Sequence, residues 1–302
     1  MEIVLYRDLE SRSGLLPLLE QAFGWPFNER EFNRLIKIDP RLKNGAVGFC
    51  ALENGRVVSY VGAMDLATRT LDGAIERAGG IYGVATLPGY THQGYSTALL
   101  RATHEYFKGK GYRFSFLNTS PTIIAYSVYK KLGYSDVYSC PSVYKVLNAT
   151  KATLPIAKSP KPDLDKVLAI YNDYVKDKVG LVVRDRAYLE LLAKDKWLTS
   201  KRTICTGNGY VVFKKEQYST AILELVARNR AEAEELLKTV ESKAGGSVFA
   251  RAVFDKAVRE IYLSRGYTFL NEGHGVFMVK PLEKDAHFKQ VYGDNFFQTR
   301  LV

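Results

Sequence analysis

Val84-Ala85-Thr86-Leu87-Pro88 runs into Gly89-Tyr90-Thr91-His92-Gln93-Gly94-Tyr95-Ser96-Thr97, and the fold turns on that junction. The first part ends an apolar strand. From Thr97 to Lys110 the period becomes helical, with Leu99, Leu100, Thr103, Tyr106 and Phe107 on one side. Gly109 and Gly111 close the helix, and Lys108 and Lys110 suit its negative end. Gly94 and Ser96 are small, so the backbone there can approach a bulky anion. Free N–H groups and the helix dipole favour phosphate at that point. The stretch is neither a P-loop, since no Gly-Lys-Ser/Thr follows, nor a dinucleotide fingerprint, which needs three spaced glycines. Taken alone it reads as a plain strand-to-helix turn with Gly94 at the corner. Its neighbours change that reading.

Downstream, Tyr112–Leu117 is a short apolar strand, and Ser120-Pro121-Thr122 opens a helix that Gly133 closes. A strand is expected over Val137–Val146. Upstream, Met1–Tyr6 reads as a strand. Ser11 or Ser13 caps a helix to about Phe23, and Glu29–Ile38 is a second helix ending before Pro40. Ala46–Leu52 and Val57–Thr68 flank Glu53-Asn54-Gly55-Arg56, a type I′ hairpin signal. Asp72-Gly73 turns the chain again into a strand over Ala74–Thr86. Residues 46–86 therefore read as an antiparallel meander.

Asn148–Asp163 is rich in Lys and Pro and reads as a linker. The pattern then resumes. Helices are expected over Asp163–Asp177 and Asp185–Leu192, and a hairpin at Gly207-Asn208-Gly209. Thr220–Ala227 is a strand, Arg230–Ala244 a helix, Val248–Val253 a strand, Asp255–Ser264 a helix and Tyr267–Met278 a strand. Tyr129-Lys130-Lys131-Leu132-Gly133-Tyr134 is echoed by Tyr262-Leu263-Ser264-Arg265-Gly266-Tyr267, and Leu99-Leu100-Arg101 by Leu236-Leu237-Lys238. Their common order within matching patterns points to a duplicated domain.

Loop, helix, strand and tyrosine helix together resemble the GCN5-related N-acetyltransferase (GNAT) superfamily. Its Gln/Arg-x-x-Gly-x-Gly/Ala motif falls on Thr91-His92-Gln93-Gly94-Tyr95-Ser96, and its Tyr-x-x-Leu-Gly-Tyr/Phe segment on Tyr129–Tyr134. Thr91, Ser96 and Thr122 depart from the family's residues at those places. More narrowly, the chain is similar to the enhanced-intracellular-survival type, which has one GNAT domain, a degenerate second one and a sterol-carrier-like third. Here the expectation is a shortened relative without the third. The fold class expected is α/β (α+β), with two tandem GNAT-like domains, each a mixed, mostly antiparallel sheet flanked by helices. The boundaries are 1–147, a linker at 148–162, a degenerate domain at 163–281 and a tail at 282–302.

The resemblance implies direct attack of a primary amine on acetyl-CoA. A backbone N–H within Val84–Thr86 would polarise the thioester, and Tyr129 would protonate the departing sulfur. Tyr126, one turn earlier, is the competing acid. The cofactor set is Val84, Ala85, Thr86, His92, Gln93, Gly94, Tyr95, Ser96, Thr97, Ser120 and Thr122. Phe23 and Trp25, in Phe23-Gly24-Trp25-Pro26-Phe27, would line the acceptor site. The base stays open between Asp65, the Val302 carboxylate and water. In the repeat, Thr91–Gly94 falls on Arg228-Asn229-Arg230-Ala231, and Glu232, Glu234 and Glu235 crowd the helix start. The second domain is expected to bind no coenzyme A.

Composition narrows the rest. The chain has 302 residues, 46% hydrophobic and 25% charged, which is a globular profile. Mean hydropathy is −0.16, and no apolar run is long enough for a membrane span. Met1–Asp8 lacks a signal-peptide pattern. Cys50, Cys140 and Cys205 are widely spaced, and His92, His104, His274 and His287 are scattered. A reducing cytoplasm and no metal are therefore expected. A net charge of +11 could draw anionic partners, but there is no arginine-rich block of the kind nucleic-acid binders use. The expected partner is a small-molecule or protein amine, with no membrane and no nucleic acid. Homo-oligomerisation is left open. The rival reading is a non-catalytic acyl-CoA-binding or scaffold protein.

Overall fold

A computed structural model describes residues 1–147, 160–271 and 275–298. Most of the proposed linker, together with His274, Leu301 and Val302, lies outside the described residues. In chain order the first elements are β1 (Glu2–Leu5), α1 (Leu15–Phe23), α2 (Glu29–Ile38), β2 (Val47–Glu53), β3 (Arg56–Arg69), β4 (Ile75–Thr86), α3 (Tyr95–Gly109), β5 (Phe114–Thr119), α4 (Ile124–Lys131) and β6 (Ser135–Ser139). There follow β7 (Ser142–Val146), α5 (Leu164–Val175), β8 (Val179–Leu181), α6 (Arg186–Lys194), β9 (Thr203–Cys205), β10 (Gly209–Lys215), β11 (Ser219–Ala227) and α7 (Arg230–Lys243). The last are β12 (Ser247–Arg251), α8 (Lys256–Ser264), β13 (Thr268–Leu270), β14 (Val276–Pro281), α9 (Phe288–Tyr292) and β15 (Phe296–Gln298).

The chain divides into two units. One comprises Met1–Thr68, Ala74–Tyr138 and Val276–Gly293; the other comprises Arg69–Gly73, Ser139–Gly275 and the residues from Asp294. The first unit carries a sheet in the order β1-β2-β3-β4-β5-β14-β6. Along that order β4 and β5 run parallel, at Gly79↔Ser115 and Gly80↔Phe116. The meander appears as read. Asn54 and Gly55 both have positive φ, as a type I′ turn requires, and Glu53 pairs with Arg56. One face of α3 covers this sheet through Leu99, Leu100 and Phe107, all fully buried. Phe107 sits directly over Gly79, where a Cβ would come within 2.2 Å of the ring.

The second unit has a sheet in the order β13-β7-β12-β11-β10-β9, in which β11 and β12 run parallel. Helices α7 and α8 follow β11 and β12 as α3 and α4 follow β4 and β5. Both units are thus mixed, mostly antiparallel sheets with flanking helices.

Three local expectations differ from what is found. Val137–Val146 is two strands, broken at Cys140-Pro141, because proline offers no N–H to a ladder. The second of them, β7, pairs with β12. Tyr267–Met278 is likewise two strands; β13 pairs with β7, while β14 pairs with β5 from Val276↔Thr119 to Pro281↔Phe114. At α1 the N-cap is Gly14 with no side-chain hydrogen bond, rather than a serine. Chain beyond β14 is ordered by its aromatics: Phe288 packs edge-on to Phe114 at 5.9 Å, and the Tyr292 hydroxyl meets Thr68 Oγ1 at 2.9 Å.

Candidate active site

Strands β4 and β5 pair for two registers and then part. Beyond Gly80, β4 continues to Thr86 and β5 to Thr119 with no further pairing between them among the described residues. Gly83 interrupts β4 at φ 58, a backbone that favours glycine. Past this irregularity Ala85 O accepts from Ser59 Oγ at 2.9 Å, and Thr86 Oγ1 lies 2.8 Å from the same hydroxyl. The end of β4 borders a cavity of ≈ 500 Å³. Its lining includes Val84, Ala85, Thr86, His92, Gly94, Tyr95, Ser96, Thr97 and Tyr129.

The N-terminus of α3 closes one side. Gly94 is its N-cap at φ 84, and no side chain caps the helix. No acidic residue stands in its first turn. The leading N–H groups are left for an outside acceptor, and the end of the helix carries partial positive charge. His92, also at positive φ, and the 3.0 Å bond from Gln93 Nε2 to Gly89 O shape the loop before it. At α7 the matching end differs. Asn229 caps Glu232 N at 2.9 Å, Glu232 occupies the first turn, and Glu234 pairs with Arg230 at 2.7 Å.

Tyr129 comes from α4 and is 6% exposed. Its ring meets Tyr134 edge-on at 5.9 Å. Tyr134 is itself fixed by Ser115 Oγ at 2.7 Å and His104 Nε2 at 2.9 Å. The Tyr129 hydroxyl has no hydrogen-bond partner among the described residues, and burial pushes it up to about 12. It therefore stays protonated, beside the cavity, with its hydrogen uncommitted. The Tyr126 hydroxyl instead lies 2.7 Å from the Asp136 carboxylate, on the exposed side of the helix.

Other predicted residues fall elsewhere. Gln93 is engaged with Gly89 and does not line the cavity. Ser120, half-buried, and Thr122, exposed, bond each other at 2.8 Å and do not line the cavity. Phe23 and Trp25 stack at 4.4 Å, and Trp25 lines a second cavity of ≈ 230 Å³. Gly83, which lines the second cavity, immediately precedes Val84, which lines the first. Of the base candidates, Asp65 faces Tyr112 and lines neither cavity. Val302 lies outside the described residues. The first cavity's lining holds no carboxylate; the second holds Glu31.

Sequence reasoning missed Tyr90, Leu100, Ile124, Ala125 and Val128 in the first cavity and Glu31 in the second. Ile123-Ile124 at a helix start, 50% and 75% exposed, was the available signal for an apolar rim. Nothing singled out Glu31, because Asn28-x-x-Glu31 reads as an ordinary helix cap. Among the described residues no group of three or more His, Cys, Asp or Glu side chains is placed to hold a metal, and no helix is long and apolar enough to cross a membrane.

Residues 9–137 match the family described as Acetyltransferase (GNAT) domain. Solved structures of similar fold include a GCN5-related N-acetyltransferase from Kribbella flavida, with TM-score 0.70 and 18% identity over 94% of this chain and 73% of that one. Another, from Anabaena variabilis, has TM-score 0.60 and 16% identity over 93% and 73%. Eis1 from Mycobacterium abscessus has TM-score 0.54 and 16% identity over 86% and 73%. Identities this low carry the fold alone. No curated protein sequence gives a significant match.

Proposed function

We propose, for a chain whose residues 9–137 match the GNAT acetyltransferase family, that the cavity lined by the end of β4, the start of α3 and α4 binds acetyl-CoA and that the acetyl group passes directly to a primary amine. The observation that carries this reading is the uncapped, acid-free N-terminus of α3 beside the end of β4. The residues fit the cofactor. The N–H groups after Gly94 suit a pyrophosphate. The end of β4 at Val84, Ala85 and Thr86 suits the amide groups of an extended arm, as an added strand would. Ile124 and Val128 suit its methylene segments.

Bound acetyl-CoA supplies an activated acyl carbon. A backbone N–H within Val84–Thr86 polarises the carbonyl at the break in β4. Gly83 lines the second cavity and Val84 the first, so an amine in one would adjoin an acyl group in the other. A C–N bond would form as the C–S bond breaks; the amine's proton would leave to water, and Tyr129 would donate its hydroxyl proton to the sulfur and regain one from water. The second unit, with α7 capped by its own Asn229 and Glu232 in the first turn, offers no comparable anion site.

The test is thiol release from acetyl-CoA with and without an added amine. Release that depends on the amine, with an acetylated product by mass, is expected. Cofactor bound without turnover of any amine would favour the rival binding-protein reading.

A further inference from the structure

We infer that the second cavity of the first unit selects an acceptor amine with an aryl or arylalkyl body and a single positive charge. This rests on the proposed acetyl transfer, because the cavity gains its meaning from adjoining the acyl site through Gly83 and Val84. The walls are rings: Trp25, Phe27, Phe32, Tyr60 and Tyr82 all line it.

The tyrosine hydroxyls are turned to the backbone. Tyr60 and Tyr82 lie 3.1 Å and 2.8 Å from Val47 O. Both hydroxyls are thus engaged within the protein. Trp25 is 52% exposed and stacked on Phe23, an aromatic pair left at the surface by a fold that buries most others.

Size and charge narrow the ligand. An apolar cavity of about 150 Å³ holds a benzene ring, and this one is ≈ 230 Å³. Glu31 is the sole carboxylate in the lining. Its Oε2 takes Arg34 at 2.9 Å, and its Oε1 has no partner among the described residues. One carboxylate answers one ammonium. A polyamine or aminoglycoside would bring further charges with no second carboxylate in the lining to pair them.

The probes are 2-phenylethylamine and spermidine. In a Trp197→Phe background, where Trp25 is the remaining tryptophan, 2-phenylethylamine is expected to shift Trp25 emission saturably. In turnover its kcat/KM is expected to exceed that of spermidine by at least tenfold. Trp25→Ala should raise KM for 2-phenylethylamine about tenfold, with kcat and acetyl-CoA affinity unchanged and with Trp25→Phe restoring most of the loss. Glu31→Gln should raise the same KM about two- to fivefold. Preference for spermidine, with acetyl-CoA still bound and amines still acetylated, would overturn the inference and leave the proposed activity standing. Failure to bind acetyl-CoA at all would overturn both. No Trp25 response to 2-phenylethylamine would exclude the aromatic cavity as its site, whatever the turnover.

Discussion

Tyr129 and Tyr126 sit one helical turn apart, and the sequence left them as rivals. Their surroundings separate them. Tyr129 is buried at the cavity with a free hydroxyl, whereas Tyr126 is bonded to Asp136. Tyr129→Phe keeps the ring contact with Tyr134 and removes the proton. It should lower kcat by about 10²-fold with little change in acetyl-CoA affinity, while Tyr126→Phe should do less. A reversed order would shift the acid by one turn. Because burial holds Tyr129 up to about 12, its deprotonation should put no descending limb on the rate profile at lower pH. A second residue, His104, was read only as scattered. It is 3% exposed, and burial, reinforced by Lys280, Lys108 and Arg101, pushes it down to about 3. The unfolded histidine takes a proton near 6.5, so between these values the unfolded state binds more protons. His104 stability is present above about 6.5 and is lost as pH falls toward about 3. Melting temperature should therefore drop with acid, less steeply in His104→Gln; equal slopes would remove His104 as the cause.

At the scale of elements, β4 and α3 were legible and the strands around them less so. The junction at Gly94, the Asn54-Gly55 turn and the apolar face of α3 are short-range signals, each written in neighbouring residues. The pairing of β14 with β5 is not, because period and propensity say that a segment is a strand and not where it goes. The same limit applies to the cavities. Val84–Thr97 is a contiguous motif, but the opposite wall at Ile124, Ala125 and Val128 belongs to α4, which only tertiary packing brings there. Packing of α3 on β4 gives a direct check. Gly79→Ala would set a methyl into the Phe107 ring, and overpacking of this kind costs about 1–3 kcal/mol. Gly94→Ala meets nothing within 4 Å; its cost comes from φ 84 alone, roughly 1–2 kcal/mol. Denaturant midpoints should place the first variant at least as low as the second. A neutral Gly79→Ala would contradict the close packing of helix on strand.

At the scale of the whole chain, the first unit is not continuous in sequence. Its sheet needs β14, and Phe288 and Tyr292 pack on Phe114 and Phe116. A chain ending at Leu147 exposes the β5 edge and that aromatic face, so it should aggregate or lose acetyl-CoA binding; a soluble 1–147 fragment with full affinity would refute this. The duplicated pattern was readable from the Tyr129 and Tyr262 echoes, whereas the partition of function between the copies rests on two helix ends. Calorimetric titration of the full chain with acetyl-CoA compares them directly, alongside Gly94→Glu and Ala231→Glu. The account predicts one site per chain, abolished by a carboxylate at the open end of α3 and untouched by one at the capped end of α7. Two sites per chain, or a folded Gly94→Glu protein with unchanged affinity, would contradict it.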